Sequence, residues 1–335
     1  MELERVKLGQ TGLDVNRICL GGGSFGGSTP LGQVTTQLDH WRSIGGIFID
    51  TAVMYCDWLI GIEPSSSMHI LGRWMKHHGC RKELTISAKG CDAKIIRPTG
   101  INNTCPKEDP KLHRDGIISE IERSMEYLQT DYLDIFTLHA DNESVEVGEI
   151  LETLESQVKR GVIRAYGCSN WRIDRQRAAY EYAKTHGLTG FLVDQISWCL
   201  NLYSENSFVR KRDAHMDDRA YAFHRETGIP AMAYGANGRA YFHRLANNMP
   251  IPDSEHTEYR CATNDAILEV LKEAAAATGV EVNTIVINYL LWEHGFQVIP
   301  IIGIKTIREL EIALAALDFT LPEEYKKRIL ELRPL

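Results

Sequence analysis

The stretch "YLDIFTLHADNESVEVGEILETLESQVKRGVIRAYGCSN", residues 132–170, holds two apolar runs separated by a helical pattern. The runs at 132–139 and 164–170 are short and rich in residues that favour strands. Between them, 148–161 carries apolar residues at i, i+3, i+4 and i+7, the spacing of one helix face. Two nearly apolar strands joined by a helix predict parallel neighbours in a sheet that is covered on its outer side.

The same alternation extends over the whole chain. Strand-like runs occur at 17–22, 47–52, 84–90, 132–139, 164–170, 191–198, 229–235 and 297–303. Strands of this number, each followed by a helix, favour an α/β fold, a closed (β/α)8 TIM barrel formed by residues 1–335 as a single domain. A doubly wound sheet is the alternative, but the glycines of 21–27 have no helix beginning on them, as its nucleotide-binding turn requires. Residues 6–15 predict an N-terminal β-hairpin that turns at 10–12.

Composition limits the partners and the compartment. The chain has 335 residues and a formal net charge of −8, which argues against nucleic acid or an anionic membrane as a partner. Eight cysteines without a CxxC pair predict free thiols in a reducing compartment. The first residues have no apolar signal region, and no apolar stretch is long enough to span a membrane. We therefore expect a cytoplasmic protein, either a monomer or a homo-oligomer.

The longest loops are predicted to follow strands. They lie at 56–66, 91–115, 199–216 and 236–262. This is the carboxyl-terminal face, where barrel enzymes build their active sites, so long loops there predict functional loops at the mouth.

Four polar residues stand at the predicted ends of successive strands, namely Asp50, Tyr55, Lys89 and His139. Lys89 is the expected ion-pair partner of Asp50, because adjacent parallel strands bring their ends together. A lysine held beside Tyr55 would lower the phenol's pKa from about 10 toward neutral pH. Tyr55 could then donate a proton to a carbonyl oxygen that His139 holds by a hydrogen bond. Each residue alone has an ordinary structural explanation, but all four together predict a catalytic site.

These residues also carry a resemblance to the aldo-keto reductase superfamily. "FIDTAVMY" (48–55), "ISAKG" (86–90), "TDYLDIFTLH" (130–139) and "KRGVIRAYGCSNW" (159–171) are similar, in order, to motifs of that family. The resemblance implies that Tyr55 is the general acid, that Lys89 and Asp50 tune it, and that His139 orients the substrate carbonyl. It implies an NAD(P)(H)-dependent carbonyl reductase or alcohol dehydrogenase acting on a small molecule.

Further residues resemble a nicotinamide cofactor site. By resemblance, Ser169, Asn170 and Gln195 hold the carboxamide and Tyr234 stacks on the ring, with Asp50 close by. Gly22 and Gly23 would give close backbone access. The segment 235–242, with Gly235, Asn237 and Arg239, fits a pyrophosphate loop, although its glycines could be plain turn residues. The segment 303–313, beginning at Gly303, is similar to the adenosine-binding segment, but Ile312 and Ala313 depart from it.

The choice between the two nicotinamide cofactors rests on two residues. Lys305 could bind the 2′-phosphate of NADP(H) by its charge. Glu309 would repel that phosphate but could accept hydrogen bonds from the ribose hydroxyls of NAD(H). At i, i+4 spacing the two could also pair with each other. We expect NADP(H) to be slightly favoured, from the habit of the family, with NAD(H) possible.

The loops at the mouth suggest a substrate class. Asp57, Trp58 and Glu63 stand in an insertion relative to the family motif, and loop 91–115 adds Asp92, Lys94, Arg97, Asn102 and Asn103. Hydrogen-bonding groups around one aromatic side chain favour a polyhydroxylated substrate, such as a sugar, glycoside or cyclitol ketone. Simple solvation of these loop residues explains them equally well.

Two other functions remain open. One is a redox-sensing or regulatory subunit, similar to the channel β-subunits, that holds the cofactor and turns over slowly. The other is a metal-dependent barrel enzyme, but no HxH or HExxH pattern occurs and we expect no metal.

Overall fold

The computed structural model describes residues 2–92, 94–95, 107–108 and 110–334. The strands are β1 (Arg5–Lys7), β2 (Asp14–Asn16), β3 (Cys19–Gly21), β4 (Phe48–Ala52), β5 (Thr85–Gly90), β6 (Lys94–Ile95), β7 (Lys107–Glu108), β8 (Leu133–Leu138), β9 (Ile163–Ser169), β10 (Asp194–Ser197), β11 (Ala231–Tyr234) and β12 (Val298–Ile302). The helices are α1 (Leu31–Ser43), α2 (Ser66–His78), α3 (Arg114–Leu128), α4 (Val147–Lys159), α5 (Ile173–His186), α6 (Phe208–Lys211), α7 (Asp218–Thr227), α8 (Tyr241–Ala246), α9 (Asp253–Tyr259), α10 (Ala262–Thr278), α11 (Val282–Tyr289), α12 (Ile307–Asp318) and α13 (Glu323–Leu332). Short 3-10 helices lie at Arg81–Glu83 and Gly238–Ala240.

Eight strands close into a barrel in the order β10-β11-β12-β3-β4-β5-β8-β9. Each lies within one of the runs that the sequence predicts as a strand, except that β9 begins one residue earlier, at Ile163. The neighbours β3, β4, β5, β8 and β9 pair in parallel. Outside the barrel, β1 and β2 form the predicted antiparallel hairpin. The prediction of a (β/α)8 TIM barrel with an N-terminal hairpin is confirmed.

The apolar composition of the strands follows from their burial on both faces. Every residue of β4, β5 and β8 is buried, as expected for a parallel sheet that side chains fill on one side and helices cover on the other. The helix α4 buries Ile150, Leu151 and Leu154, which is the face that its periodicity predicts.

The amino-terminal end of the barrel is locked by a buried carboxylate. Asp134 of β8 forms ion pairs with Arg81 at 2.8 Å and Arg164 at 2.9 Å, and it accepts a hydrogen bond from the Ile86 amide at 3.0 Å. Both guanidinium groups also stack on Tyr132, at 4.0 and 4.5 Å from the ring centroid. Asp134 therefore ties β5, β8 and β9 together, a structural role at the opposite end of β8 from His139.

The long segments after the strands are less irregular than the sequence predicts. Helix α6 lies within the segment 199–216, and α8 and α9 lie within the segment 236–262. In the segment 91–115, β6 and β7 form a short antiparallel pair. Short helices of four to seven residues have too few repeats to be read from periodicity, which explains the difference.

Contacts between Cα atoms group the chain into two compact units, Met1–Gln195 with Gly303–Ile307, and Ile196–Ile302 with Arg308–Leu335. None of the helices in the described ranges combines the length and apolarity needed to cross a bilayer. In the same part of the chain, no group of three or more histidine, cysteine, aspartate or glutamate side chains could hold a metal ion. The single-domain interpretation stays a prediction.

Candidate active site

A buried ion pair stands at the carboxyl ends of β4 and β5 in the first unit. The register pairs Ala52 with Lys89, and this brings Lys89 Nζ to 2.5 Å from Asp50 Oδ2. Both side chains are 2% exposed. Removing either partner would leave a buried charge uncompensated, so the two groups hold each other in place.

Tyr55 lies against this ion pair. Its hydroxyl donates to Asp50 Oδ2 at 3.3 Å, and Lys89 Nζ is 4.8 Å from the centroid of its ring. The chain turns directly after it, because Cys56 adopts a positive φ of 74°. The phenol is only half-buried, so a polar group beside a buried ammonium group remains partly accessible. Such a tyrosine is suited to proton donation.

His139 follows β8 and lies beside Tyr55. The two rings meet edge to face, with their centroids 5.9 Å apart. The His139 backbone is held from both sides, since its amide donates to the Gly90 carbonyl at 2.8 Å and its carbonyl accepts from Asn170 Nδ2 at 2.9 Å. Its ring nitrogen Nδ1 is 3.4 Å from Asp92 Oδ2. Sequence reasoning named Asp92 only as a loop residue, although its place three positions after Lys89 puts it at the same strand end.

Gln195 is a third hydrogen-bond partner of the Asp50 carboxylate. Its Nε2 donates to Asp50 Oδ1 at 2.6 Å and to Ser87 Oγ at 3.0 Å. Asp50 therefore meets Gln195 through one oxygen, and Lys89 and Tyr55 through the other. The sequence did not predict this contact, because the two residues are 145 positions apart in the chain.

Ser169 and Asn170 form a second polar group next to Gln195. Strand pairing sets Gln195 beside Ser169, and Asn170 Nδ2 donates to Ser169 Oγ at 3.0 Å. Asn170 has a positive φ of 59°, which turns its side chain back toward the strand end. Two amides and a hydroxyl provide the donors and acceptors that a carboxamide requires, so this set fits the nicotinamide end of a cofactor.

Gly22 and Gly23 lie where the sequence predicts close backbone access. A Cβ at Gly22 would stand 2.8 Å from Ser67 Oγ and 2.9 Å from the Asp50 carbonyl, so a side chain there would be crowded. A Cβ at Gly23 would be 3.7 Å from the Tyr55 ring, which is ordinary van der Waals contact. Gly22 is thus required by packing, whereas Gly23 leaves room next to Tyr55.

Cys19 of β3 is fully buried and interacts electrostatically with the ion pair. Burial raises the pKa of its thiol well above the ordinary value, and the nearby Asp50 carboxylate raises it further. The group therefore stays a neutral thiol. It is one of the seven cysteines in the described ranges, all of which are free thiols.

The predicted pyrophosphate loop lies in the second unit. Tyr234 ends β11 and is half-buried, and its carbonyl accepts from the Trp198 amide at 3.2 Å. After it, φ is positive at Gly235 (67°) and at the three successive residues Gly238 (55°), Arg239 (54°) and Ala240 (61°). Backbone amides in a turn of this kind can form a concavity that suits an anion. The loop therefore fits a pyrophosphate, with Asn237 half-buried and Arg239 exposed.

The predicted adenosine segment begins at Gly303, which is exposed and has open space where a Cβ would stand. Lys305 is also exposed, and its backbone carbonyl accepts from Gln37 Nε2 at 2.8 Å. In the second unit, Glu309 is exposed on the first turn of α12. Sequence reasoning missed its neighbour Arg308, a 77% exposed cation that pairs with Glu281 at 3.2 Å.

The polar residues predicted to face the substrate are partly occupied within the protein. Asp57 Oδ1 accepts the Ser65 amide at 2.7 Å, and Glu63 pairs with Arg73 at 3.3 Å. Trp58, by contrast, is 43% exposed, and its ring centroid is 6.5 Å from that of Tyr55. Arg97, Asn102 and Asn103 lie outside the described residues, as does the side chain of Lys94.

A closed parallel barrel that holds a tyrosine against a buried lysine–aspartate pair defines a class of nicotinamide-dependent oxidoreductases. The model of the aldo/keto reductase family matches residues 17–334. The chain belongs to the aldo/keto reductase family, which confirms the resemblance seen in the sequence. It is therefore an NAD(P)H-dependent oxidoreductase that interconverts carbonyl compounds and alcohols.

Several relatives cover nearly the whole chain. Norsolorinic acid reductase stcV of Emericella nidulans is 27% identical over 93% of this chain and 77% of its own. The uncharacterized oxidoreductase YrpG of Bacillus subtilis is 25% identical over 99% of this chain and 96% of its own. Aryl-alcohol dehydrogenase GME11368 of Pestalotiopsis microspora is 25% identical over 92% of this chain and 77% of its own.

A solved structure shares the fold. It is the thermostable aldo-keto reductase Tm1743 in complex with the inhibitor epalrestat, with a TM-score of 0.68 and 22% identity. The match covers 98% of this chain and all of that one.

Proposed function

We propose that this single-domain protein reduces aryl ketones or aldehydes, or oxidises the corresponding aryl alcohols, with Tyr55 as the general acid. The observation that carries the substrate class is Trp58. It is a 43% exposed indole beside the Tyr55 ring, within a loop whose nearby carboxylates have partners inside the protein. A flat exposed ring next to the proton donor is suited to bind an aromatic compound by stacking.

In this proposal each residue of the buried cluster has a distinct task. Tyr55 donates its phenolic proton to the carbonyl oxygen as that oxygen gains negative charge. His139 donates a hydrogen bond to the same oxygen and so fixes the carbonyl against Tyr55. Lys89 favours the phenolate that remains, because its ammonium group lies 4.8 Å from the ring centroid. Asp50 holds Lys89, and Gln195 holds Asp50.

The cofactor supplies a hydride to the carbonyl carbon when it is bound. Ser169, Asn170 and Gln195 are proposed to hold its carboxamide, since their amide and hydroxyl groups match that group. Tyr234 is proposed to stack on the nicotinamide ring, and the loop from Gly235 to Arg239 to take the pyrophosphate. We propose that NADP(H) is slightly favoured over NAD(H), with Lys305, Arg308 and Glu309 as the residues that decide.

The polyhydroxylated substrate that the sequence suggests has less support than an aryl substrate. Asp57 accepts a backbone amide and Glu63 is paired with an arginine, so neither is fully available to sugar hydroxyls. The names of two relatives, norsolorinic acid reductase and aryl-alcohol dehydrogenase, also favour an aromatic compound.

The test compares kcat/KM for a substituted benzaldehyde, an aryl ketone and a keto-sugar, with each nucleotide. We expect the aryl compounds to be preferred. Trp58→Ala should raise KM for them about tenfold with little change in kcat, because stacking binds substrate and transition state alike. Phe208→Ala removes a 60% exposed aromatic ring elsewhere and is the matched control.

Two outcomes would contradict the proposed function. A higher kcat/KM for the keto-sugar would reject the aryl class in favour of a polyhydroxylated substrate. Tight binding of the nucleotide with no turnover of any carbonyl compound would favour the slow regulatory subunit.

A further inference from the structure

A cavity of about 640 Å³ lies wholly within the second unit. We call it the Tyr289 cavity. Its walls come from the end of β10, the segment 201–219, Tyr289 at the end of α11, and residues 333–334 after α13. None of the residues assigned above to catalysis, cofactor or substrate lines it.

Polar side chains in its wall lack partners within the described part of the chain. Asn201 and Tyr289 are each 1% exposed, yet neither atom of the Asn201 amide and not the Tyr289 hydroxyl has a hydrogen-bond partner there. The same holds for Nδ1 of His215. Buried polar groups in folded proteins are nearly always hydrogen-bonded, because leaving them unpaired costs free energy. Three such groups around one cavity can form hydrogen bonds with a molecule that enters it.

The charges at the cavity indicate the sign of that ligand. Arg333 donates to the Leu200 carbonyl and lies 5.4 Å from the centroid of the Tyr289 ring, but it forms no ion pair with any described residue. The acidic residues Asp213 and Asp217 are already paired with Arg219, at 2.5 and 3.0 Å. Arg210 and Asp218 also line the cavity and are opposite in charge. Among the described residues, Arg333 therefore has no ion-pair partner, whereas Asp213 and Asp217 share Arg219.

The neighbouring groups complete the donor set. The Tyr289 hydroxyl and the Asn201 amide can each donate one hydrogen bond or more. Burial lowers the pKa of His215, so at neutral pH its ring is an uncharged donor or acceptor. Trp198 and Tyr289, with ring centroids 6.1 Å apart, add an aromatic wall.

We infer that the Tyr289 cavity binds a small organic anion, whose carboxylate or phosphate group meets the Arg333 guanidinium and the Tyr289 hydroxyl. A guanidinium group presents its donors in the geometry that such oxyanions accept, and a hydrogen bond to a charged group is stronger than one between neutral groups. The aromatic wall accommodates the apolar part of the ligand. This is a second binding site, separate from the reductase reaction.

The test is calorimetric titration of the full chain with benzoate, phenyl phosphate and inorganic phosphate. We expect saturable binding with one site per chain. Benzoate alone would identify a carboxylate site, and phenyl phosphate alone a phosphate-ester site. Arg333→Gln should weaken binding at least tenfold, and Tyr289→Phe about fivefold, because each removes one bond to the anion.

The control is Arg328→Gln, which neutralises an arginine of α13, the helix directly before Arg333. Arg328 is half-buried, does not line the cavity and is paired with Glu273, so its loss should leave the affinity within about twofold. Asn201 is a poor target for mutation, because its side chain packs closely against the backbone of Gly238. A Cβ at Gly238 would lie only 2.2 Å from Asn201 Oδ1.

Three results would overturn the site. They are no saturable binding of any probe at millimolar concentration, equal loss in Arg333→Gln and Arg328→Gln, and unchanged affinity in Tyr289→Phe. Tyr289→Phe keeps the ring and loses only an unpaired hydroxyl, so it should fold even if Arg333→Gln does not. Carbonyl reduction by Tyr289→Phe should equal that of the wild type, which separates failure of this site from failure of the proposed function.

Discussion

Asp92 Oδ2 lies 3.4 Å from Nδ1 of His139, with both side chains largely buried. The carboxylate lies within ion-pair distance of the ring, and an imidazole that donates from both nitrogens can meet the carboxylate through Nδ1 and a carbonyl oxygen through Nε2. We propose that Asp92 acts on the substrate through the imidazole.

Asp92→Asn should lower kcat about tenfold and change KM little, because the orientation of His139 matters most as charge develops on the oxygen. Steady-state kinetics with a saturating cofactor measure both constants. Asp39→Asn is the control, since Asp39 forms a comparable pair with His78 at 3.3 Å away from the site. Equal effects of the two variants would remove Asp92 from the mechanism.

Tyr55→Phe should lower turnover about a hundredfold to ten-thousandfold, because it removes the only proton that the phenol can donate. Binding of the nucleotide, followed by fluorescence titration, should be retained, since the ring stays in place. Tyr182→Phe removes a hydroxyl that also meets a carboxylate, Glu152 at 2.7 Å, and should have no effect on turnover. Near-normal rates in Tyr55→Phe with a slow substrate would exclude Tyr55 as the acid.

Lys89→Met should lower the free energy of unfolding by about 3–5 kcal/mol, because it leaves Asp50 buried without its cation. Adding Asp50→Asn should restore part of that stability without restoring activity. Chemical denaturation measures both effects. Lys7→Met breaks a pair with Asp14 whose side chains are 63% and 53% exposed, and should cost less than about 1 kcal/mol. A similar cost for both lysines would mean that the buried pair is not a stability determinant.

Glu309→Arg should shift the preference toward NADPH by about 1–2 kcal/mol, since it replaces a repulsive charge by an attractive one at an exposed site. The ratio of kcat/KM for NADPH and NADH, in wild type and variant, gives the shift. The control is Glu311→Arg, which makes the same charge change two positions further along α12. If both variants leave the ratio unchanged, Glu309 is not near the ribose.

The protein should lose stability as the pH falls from about 6.5 toward 4. Burial lowers the pKa of His294 to about 4. Between that pH and about 6.5, the histidine therefore binds a proton in the unfolded chain but not in the folded chain. The stabilisation from the neutral ring is complete above the ordinary pKa of about 6.5 and is lost as the pH falls through this window, by up to about 3 kcal/mol.

His294→Gln should flatten the unfolding free energy over that range, measured by urea denaturation at several pH values. His186→Gln, which changes an exposed histidine, should leave the slope as it is. Parallel curves for wild type and His294→Gln would show that other groups control the acid sensitivity.

Much of the fold could be predicted because it depends on local patterns of apolar residues in the sequence. The barrel follows from apolar strands that alternate with helices, and Asp50, Tyr55, Lys89 and His139 stand out because strand ends in a parallel barrel converge. Short helices such as α6 and α8 were not predicted, because one or two helical turns are too short to show a periodic pattern of apolar residues.

The sequence alone determined the barrel, the family and the four residues at the strand ends, since each depends on spacing within a short segment. Only the tertiary structure decided that Gln195 shares Asp50, that Asp92 meets His139, and that Asp57 is occupied by a backbone amide. The Tyr289 cavity likewise joins Asn201, Tyr289 and Arg333 from distant parts of the chain. Such contacts depend on how strands and loops pack, and side-chain packing between distant segments leaves no periodic trace in the sequence.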